Sequence, residues 1–217
     1  MKQHLLKYRF EFLLIILTLA IFDKIVIFSD FVYSSYVWPA NMLLLGVGSF
    51  GLFHDRNLAV KWAKNIFFIS VIAVPLAADI IFVNSALTQI ALWSYLFFYT
   101  IIFTEVIRQI IHKHEVTESI IMGSLSGFLL IIVVATFSFL LIDFHLSDAF
   151  QNLQGVTIPQ KYHQVVYFSS ITLTTIGYGD ITPKADNARL LAAFWGVVGQ
   201  FYMVAVVGII ISKFTSK

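Results

Sequence analysis

Seven consecutive residues, 174–180 (Thr-Thr-Ile-Gly-Tyr-Gly-Asp), combine types and spacing that suit a specific chemistry. Glycine adopts positive φ at little cost, so Gly177 and Gly179 can turn their carbonyls toward one axis, whereas the carbonyls of an ordinary strand alternate. Rings of such carbonyls can replace the water around a cation. The Thr175 hydroxyl can add an innermost oxygen ring, and Asp180 can concentrate cations at the outer end. The run therefore indicates a site for dehydrated cations.

The composition places this run in a membrane protein. Of 217 residues, 59% are apolar and only 12% are charged, and 22 are Phe. A soluble domain carries about twice that charged fraction. This excludes a soluble enzyme, a disordered chain and a nucleic-acid binder. No Cys is present, which excludes disulfides, thiol catalysis and thiolate metal sites.

Six segments are long and apolar enough to cross a bilayer, which needs roughly 20 apolar residues. The first contains Asp23 and Lys24, and the third contains Asp79. The first is not a convincing signal peptide, because it has no small-residue cleavage site. The predicted spans are about 10–28, 31–53, 65–83, 87–107, 119–142 and 190–212.

The stretch between the fifth and sixth spans predicts a re-entrant loop. Residues 143–161 are polar and read as an outside loop, and 162–173 are apolar but too short to span. The Gly-rich run 174–180 follows, and Pro183 ends the re-entrant segment. Non-helical backbone at membrane depth requires cover by protein or by a water-filled cavity. We therefore expect a short helix and a pore loop between two spanning helices.

The charges of the linkers predict the orientation. Ten of the 14 basic residues lie before the first span or after the second, fourth and sixth spans. By the positive-inside rule we expect both termini in the cytoplasm, which agrees with an even number of spans, and we expect the protein in the plasma membrane. The expected fold is an all-α membrane protein: a four-helix peripheral unit at 1–111, a linker at 112–118 and a pore domain at 119–217.

The run 174–180, set between two uncharged helices, resembles the signature of the potassium channels, and the resemblance covers about 117–217. It implies that K⁺ is the permeant ion, bound at Thr175, Ile176, Gly177 and Tyr178. It also implies a homotetramer, because one chain supplies one of four filter strands. No cofactor and no nucleic acid are expected; the partners are K⁺, the lipid bilayer and three identical subunits. An ordinary turn and a less selective cation pore are the alternatives.

Filter support in this chain departs from the better-known pattern. Many family members have paired tryptophans where this chain has Tyr167 and Phe168, and Ile171 replaces a buried Glu found in some relatives. Because Phe168 has no donor, a hydrogen bond behind Tyr178 is expected to be missing. Thr174 completes the supporting set. These differences are expected to affect the rigidity of the filter and not its selectivity among ions.

The last span supplies candidates for the hinge and gate. Gly199 matches the hinge position of the family, and glycine eases bending there; close helix packing is the equal alternative. Gly196 and Gly208 suit packing. A stripe of one polar residue followed by three residues at four-residue spacing is the candidate cavity wall and lower constriction, or a packing surface. It consists of Gln200, Met203, Val207 and Ile211.

The fourth span lacks the regular basic residues of voltage-gated relatives. Residues 80–104 carry no charge, so steep voltage sensing is not expected. Glu105 and Arg108 lie one turn apart and should pair locally. The charges of Asp23, Lys24 and Asp79 in the predicted spans have two interpretations. One is an ion pair between Lys24 and Asp79, and the other is a proton or ligand sensor.

Two further expectations concern regulation. His145 and His163 should lie outside, either solvated or influencing the pore mouth by charge. The sequence ends about five residues after the sixth span, from which we expect no cytoplasmic ligand-binding domain. Gating would then arise in the membrane, in the filter or through a separate regulatory subunit. A sensor that binds a lipid or a small ligand in its first four helices is the rival function.

Overall fold

The protein is almost entirely helical. The computed structural model describes residues 8–53, 57–81, 85–112, 117–146 and 148–215, apart from the side chains at 50–51, 67, 71–81, 85, 207 and 209–215. The helices are α1 (Arg9–Phe22), α2 (Asp30–Val32), α3 (Trp38–Gly48), α4 (Leu58–Ile81), α5 (Ser85–His112), α6 (Glu118–His145), α7 (Ile158–Leu173) and α8 (Asp186–Thr215). A π-helix (Tyr33–Val37) joins α2 to α3, and 3-10 turns occur at Asp23–Ile25 and Phe50–Phe53. Two short strands, β1 (Phe150–Gln151) and β2 (Thr182–Pro183), pair antiparallel.

Three helices within the described residues are long and apolar enough to cross a membrane: Ala86–His112, Glu118–His145 and Asp186–Val206. They correspond to the fourth, fifth and sixth predicted spans. The first predicted span is interrupted, because the α-helix ends at Phe22 and a 3-10 turn continues through Asp23–Ile25. The second is divided by the π-helix. The structure therefore confirms a mostly helical protein, with candidate membrane-spanning helices at three of the six predicted spans.

Helix α6 is the centre of the molecule. It contacts α1, α5, α7 and α8, and most of its side chains are buried. The core runs without interruption from Phe10 of α1 through Tyr99 of α5 and Phe137 of α6 to Tyr162 of α7. Apolar packing therefore joins the helices before the predicted linker at 112–118 to the helices after it. Residues 113–116 of that linker lie outside the described chain.

Two interhelical hydrogen bonds, one buried and one partly buried, hold α7 and α8 against α6. The indole Nε1 of Trp195 in α8 donates to the Ser138 hydroxyl in α6 over 2.7 Å. The Thr136 hydroxyl of α6 donates to the Ser169 hydroxyl of α7 over 3.1 Å. Buried polar groups need such partners. These bonds therefore set the rotation of α7 and α8 against α6.

The loop predicted at 143–161 is shorter than expected. Helix α6 continues through Asp143, whose carboxylate is buried and lies 2.6 Å from the Lys161 ammonium. At the other end Gln160 Oε1 accepts from the Thr157 backbone N–H, so this capping interaction starts α7 before residue 162. The predicted loop was too long because a lysine such as Lys161 is typical of a loop. Its buried partner, Asp143, is not recognisable from the sequence.

Candidate functional site: a carbonyl-lined filter behind a short helix

Helix α7 leads directly into the run 174–180. It has 16 residues, about 24 Å at 1.5 Å per residue, which is too short for a 30 Å hydrocarbon core. Its last carbonyls are satisfied by the amides that follow: Ile171 O accepts from Ile176 N at 2.9 Å and from Gly177 N at 3.1 Å. The start of the filter is therefore fixed to the last turn of the helix.

Positive φ recurs at every second residue of the filter. Thr175 has φ 60°, Gly177 has φ 56° and Gly179 has φ 80°, whereas Ile176 and Tyr178 between them are not in this region. Alternation of left- and right-handed backbone turns every second peptide over, so that successive carbonyls face the same side. This is the geometry that a column of cation sites requires.

Thr175 is the unexpected member of the series. A β-branched residue rarely adopts positive φ, and such strain costs about 1–3 kcal/mol and concentrates at functional sites. Its backbone N–H donates to the Thr172 carbonyl over 3.1 Å, which helps to hold the conformation. The sequence predicted positive φ only at Gly177 and Gly179.

The filter has little cover within its own chain. Ile176 is 54% exposed and Tyr178 is 72% exposed. A Cβ added to Gly177 or Gly179 would meet no atom within 4 Å. Backbone conformation, rather than lack of space, is therefore the reason for glycine at both positions.

Asp180, at the outer end, is held through both its side chain and its backbone. The Tyr167 hydroxyl donates to its carboxylate over 2.7 Å, and Asn152 Nδ2 donates to its carbonyl over 2.8 Å. The hydrogen bond from Tyr167 is the main reason that the pKa of Asp180 lies below its usual range. Sequence reasoning missed both contacts, since it assigned this role to a Glu that Ile171 replaces.

The exit from the filter is fixed by the β1–β2 ladder. Gln151 pairs with Thr182, and the backbone N–H of Lys184 donates to the Ala149 carbonyl over 2.8 Å. The Lys184 side chain forms a salt bridge with Asp148. The chain after Asp180 is therefore anchored to the loop before α7.

Phe168 serves as a packing residue. It is 5% exposed, and its ring lies edge-on to Phe139 and Phe150 at centroid distances of 5.0 and 5.3 Å. Ile171 is also buried, and the Thr174 hydroxyl donates to Ser170 O over 2.7 Å. Of the predicted supporting residues, Phe168 and Ile171 are therefore buried apolar side chains of α7.

Replacing Tyr167 by phenylalanine is expected to loosen the outer end of the filter. Asp180 loses its donor, so its pKa rises toward the ordinary range. The charged form of a carboxylate with a depressed pKa persists to low pH and is lost as pH falls through that pKa. Inhibition by external acid should therefore begin at a higher pH in Tyr167→Phe, with severalfold faster inactivation. Tyr36→Phe, at an exposed position, is the control; an unchanged acid midpoint in Tyr167→Phe would contradict this role.

Helix α8 is continuous past the three glycines. A Cβ at Gly199 would lie 2.6 Å from the Leu173 carbonyl oxygen, whereas one at Gly196 or Gly208 would meet nothing within 4 Å. Gly199 therefore lets the inner helix approach the end of α7. Gln200 and Met203 are exposed in the single chain; the side chains of the other two stripe residues, Val207 and Ile211, lie outside the described part.

The charges of the peripheral helices have local partners. Arg108 contacts Glu105 through two hydrogen bonds of 2.6 and 3.1 Å, as expected. The partner that the structure gives Lys24 is Asp30, at 2.6 Å. The side chain of Asp79, the partner proposed from sequence, lies outside the described residues.

Comparison with known proteins supports this interpretation. Residues 126–216 match the family model described as "Ion channel". The chain is 36% identical over 91 residues to "Two pore potassium channel b" of Oryza sativa subsp. japonica. The aligned residues make up 41% of this chain and 23% of the relative. It is 47% identical over 34 residues to "Hyperpolarization-activated voltage-gated potassium channel" of Methanocaldococcus jannaschii, 16% of each chain.

A third relative is "Potassium voltage-gated channel subfamily KQT member 3" of Homo sapiens, 38% identical over 58 residues, which is 27% of this chain and 7% of the relative. The chain therefore spans less than a quarter of the length of each of these relatives. No solved structure matches it.

Proposed function

We propose that this chain forms a potassium-selective pore, since its residues 126–216 belong to the potassium channel family. The family consists of channels rather than enzymes. The observation that carries the proposal is positive φ at Thr175, Gly177 and Gly179, which directs the carbonyls of the filter to one side. The inferred sites for K⁺ are the oxygens of Thr175, Ile176, Gly177 and Tyr178.

A potassium flux assay tests this function. Purified protein in potassium-loaded vesicles should release K⁺ down its gradient when a protonophore balances the charge. Vesicles loaded with Na⁺ should release little of it under the same conditions. Equal release of the two ions would contradict a selective pore and favour a general cation pore.

The pore is inferred to be a homotetramer. One chain supplies one filter strand, and carbonyls on one side of a strand cannot surround an ion without others around the same axis. The exposure of Ile176 and Tyr178 supports this assembly, because large apolar side chains beside a filter need cover from neighbouring copies.

We expect purified protein in mild detergent to be a tetramer of identical subunits. Mass photometry or light scattering with detergent correction measures the mass directly. Exposed mutants of α1, such as Ile15→Ala at a 59% exposed side chain, should leave the tetramer intact. A monomer or dimer that still conducts selectively would contradict the argument from one filter strand.

We further propose that the protein lies in the plasma membrane, crosses it six times and has both termini in the cytoplasm. The distribution of basic residues supports this orientation. The π-helix and the 3-10 turns in the first two spans are then local irregularities within these spans.

A shallow conductance–voltage relation is expected. A charge that crosses the whole membrane field contributes about 2.3 kcal/mol per 100 mV, so steep gating needs several mobile charges per subunit. The only charges of α5 are Glu105 and Arg108, which are paired at 2.6 Å and cancel when they move together. Voltage-step recordings in symmetric potassium measure the slope.

The control for this measurement is a double substitution, Glu105→Gln with Arg108→Gln. It removes both charges and avoids leaving the buried Glu105 carboxylate without its cation. The slope should stay shallow in both proteins. A steep sigmoid that flattens in the double variant would make the peripheral helices a voltage sensor.

A further inference from the structure

One face of helix α8 is attached to the helices behind it at three successive positions. Trp195 donates a hydrogen bond to α6, and Gly199 packs closely against the end of α7. The third position is Tyr202, whose hydroxyl donates to the Ser124 carbonyl of α6 over 2.6 Å. These residues are spaced i, i+4 and i+7, so they lie on one side of the helix.

The Tyr202 side chain is enclosed by two other helices. It is 7% exposed, and its ring centroid lies 6.3 Å from that of Phe103 in α5 and 5.9 Å from that of Phe128 in α6. A buried tyrosine hydroxyl needs a hydrogen-bond partner, and the Ser124 carbonyl supplies one. This single side chain therefore joins α8 to α6 and to α5 of the peripheral helices.

Gly127 provides the space that the Tyr202 hydroxyl occupies. A Cβ added to Gly127 would overlap the hydroxyl oxygen and would lie 3.2 Å from Tyr202 Cζ. Gly127 follows Ser124 by three residues, so the two lie on the same side of α6. Small residues in membrane helices allow such close approach. Gly127 and the Ser124 carbonyl thus form a seat for the hydroxyl, which we call the hydroxyl seat.

The attachment determines which way the candidate cavity residues face. Gln200 and Met203 follow Gly199 and Tyr202 directly in the chain, and both are exposed in the single subunit. The alternative of a hinge at Gly199 places the bend between two hydrogen-bonded positions. A bend there moves Tyr202 relative to α6, so it requires the hydroxyl to leave its seat.

We propose that Tyr202 is a positioning residue that holds α8 against α6 and α5, and that α8 moves beyond Gly199 only when the Tyr202 hydroxyl leaves the hydroxyl seat. The hydrogen bond then contributes to the balance between open and closed pores. This effect on gating rests on the proposed function, whereas the attachment itself does not.

A double-mutant cycle in detergent tests the attachment without conduction. Tyr202→Phe keeps the ring and should speed thermal unfolding by about 3- to 10-fold, as the loss of one net hydrogen bond predicts. Gly127→Ala should also speed unfolding, because its Cβ displaces the hydroxyl. In the Tyr202→Phe background the same alanine should not speed unfolding further, because the atom that it displaces is gone.

Gly123→Ala is the matched control for this cycle. Gly123 lies one turn from Gly127 in the same helix, and an added Cβ would meet the Phe10 ring of α1 at 3.1 Å. Its effect does not involve the Tyr202 hydroxyl. It should therefore change the unfolding rate by the same factor with and without Tyr202→Phe.

Single-channel recording measures the effect on gating. Tyr202→Phe and Gly127→Ala should change the ratio of open to closed time in the same direction, by about 3- to 10-fold for the loss of one hydrogen bond. The double variant should show no larger change than either single variant. The ratio is measurable with K⁺ or Na⁺ as the current carrier, so it does not depend on selectivity.

Two results would overturn the proposal. If Gly127→Ala speeds unfolding equally in both backgrounds, as the control does, the hydroxyl seat is wrong. If the cycle gives the expected result but the ratio of open to closed time is unchanged, Tyr202 is a packing residue without a role in gating. If the unmodified protein conducts Na⁺ and K⁺ equally while both measurements agree with expectation, the proposal stands and the proposed selectivity fails. If the unmodified protein carries no current, the pore function and the role in gating both fail, and the cycle alone decides the attachment.

Discussion

Substitution of Gly177 by alanine is expected to abolish selective conduction. Gly177 has φ 56°, a conformation that costs an L-residue with a side chain about 1–2 kcal/mol. An added Cβ meets no atom within 4 Å, so the strain arises in the backbone and not from a clash. Relief of that strain rotates the carbonyl away from the axis and removes oxygens from the ion sites.

Currents of Gly177→Ala under a potassium–sodium gradient check this prediction. Gly196→Ala is the control, because Gly196 is helical and also has nothing within 4 Å of an added Cβ. Selectivity should be lost in the first variant and kept in the second. A normal selective current from Gly177→Ala would show that the carbonyl geometry does not depend on positive φ at this position.

The second large effect is expected at Gly199. An alanine there places its Cβ 2.6 Å from the Leu173 carbonyl oxygen and 3.0 Å from Leu173 Cα. These are backbone atoms at the end of α7, so they cannot rotate away as a side chain can. Overpacking of this kind costs about 1–3 kcal/mol, which exceeds the gain of about 1 kcal/mol from replacing a helical glycine.

Melting temperatures in detergent distinguish packing from a hinge at Gly199. If packing is decisive, Gly199→Ala melts lower than the unmodified protein, while Gly196→Ala, with the same gain in helix propensity, melts at the same temperature or higher. If bending is decisive, the two variants are similarly stable and Gly199→Ala alters gating alone. Equal melting of the two variants would contradict the packing role.

The sequence predicted those features that depend on residue type within a short stretch. Glycine at two alternate positions indicated the filter, uncharged runs indicated the helices of the pore domain, and Glu105 and Arg108 were close enough in sequence to pair. In each case the decisive interaction lies within four residues or follows from composition alone.

The features it missed depend on residues brought together by the fold. Tyr167 and Asn152 contact Asp180 from 13 and 28 positions away. The Tyr167 hydroxyl on α7 can donate, but the sequence alone does not show that it reaches Asp180. His163 was expected in a solvated or mouth-facing position and instead lies half-buried in α7 against Tyr33.

The reversal potential under biionic conditions tests the central claim most directly. With potassium on one side of a planar bilayer and an equal concentration of sodium on the other, the alternating φ of the filter predicts a large reversal potential, close to that of a potassium electrode. A reversal potential near zero would contradict the account, because it would mean that the oxygens of Thr175 through Gly179 do not distinguish the two ions.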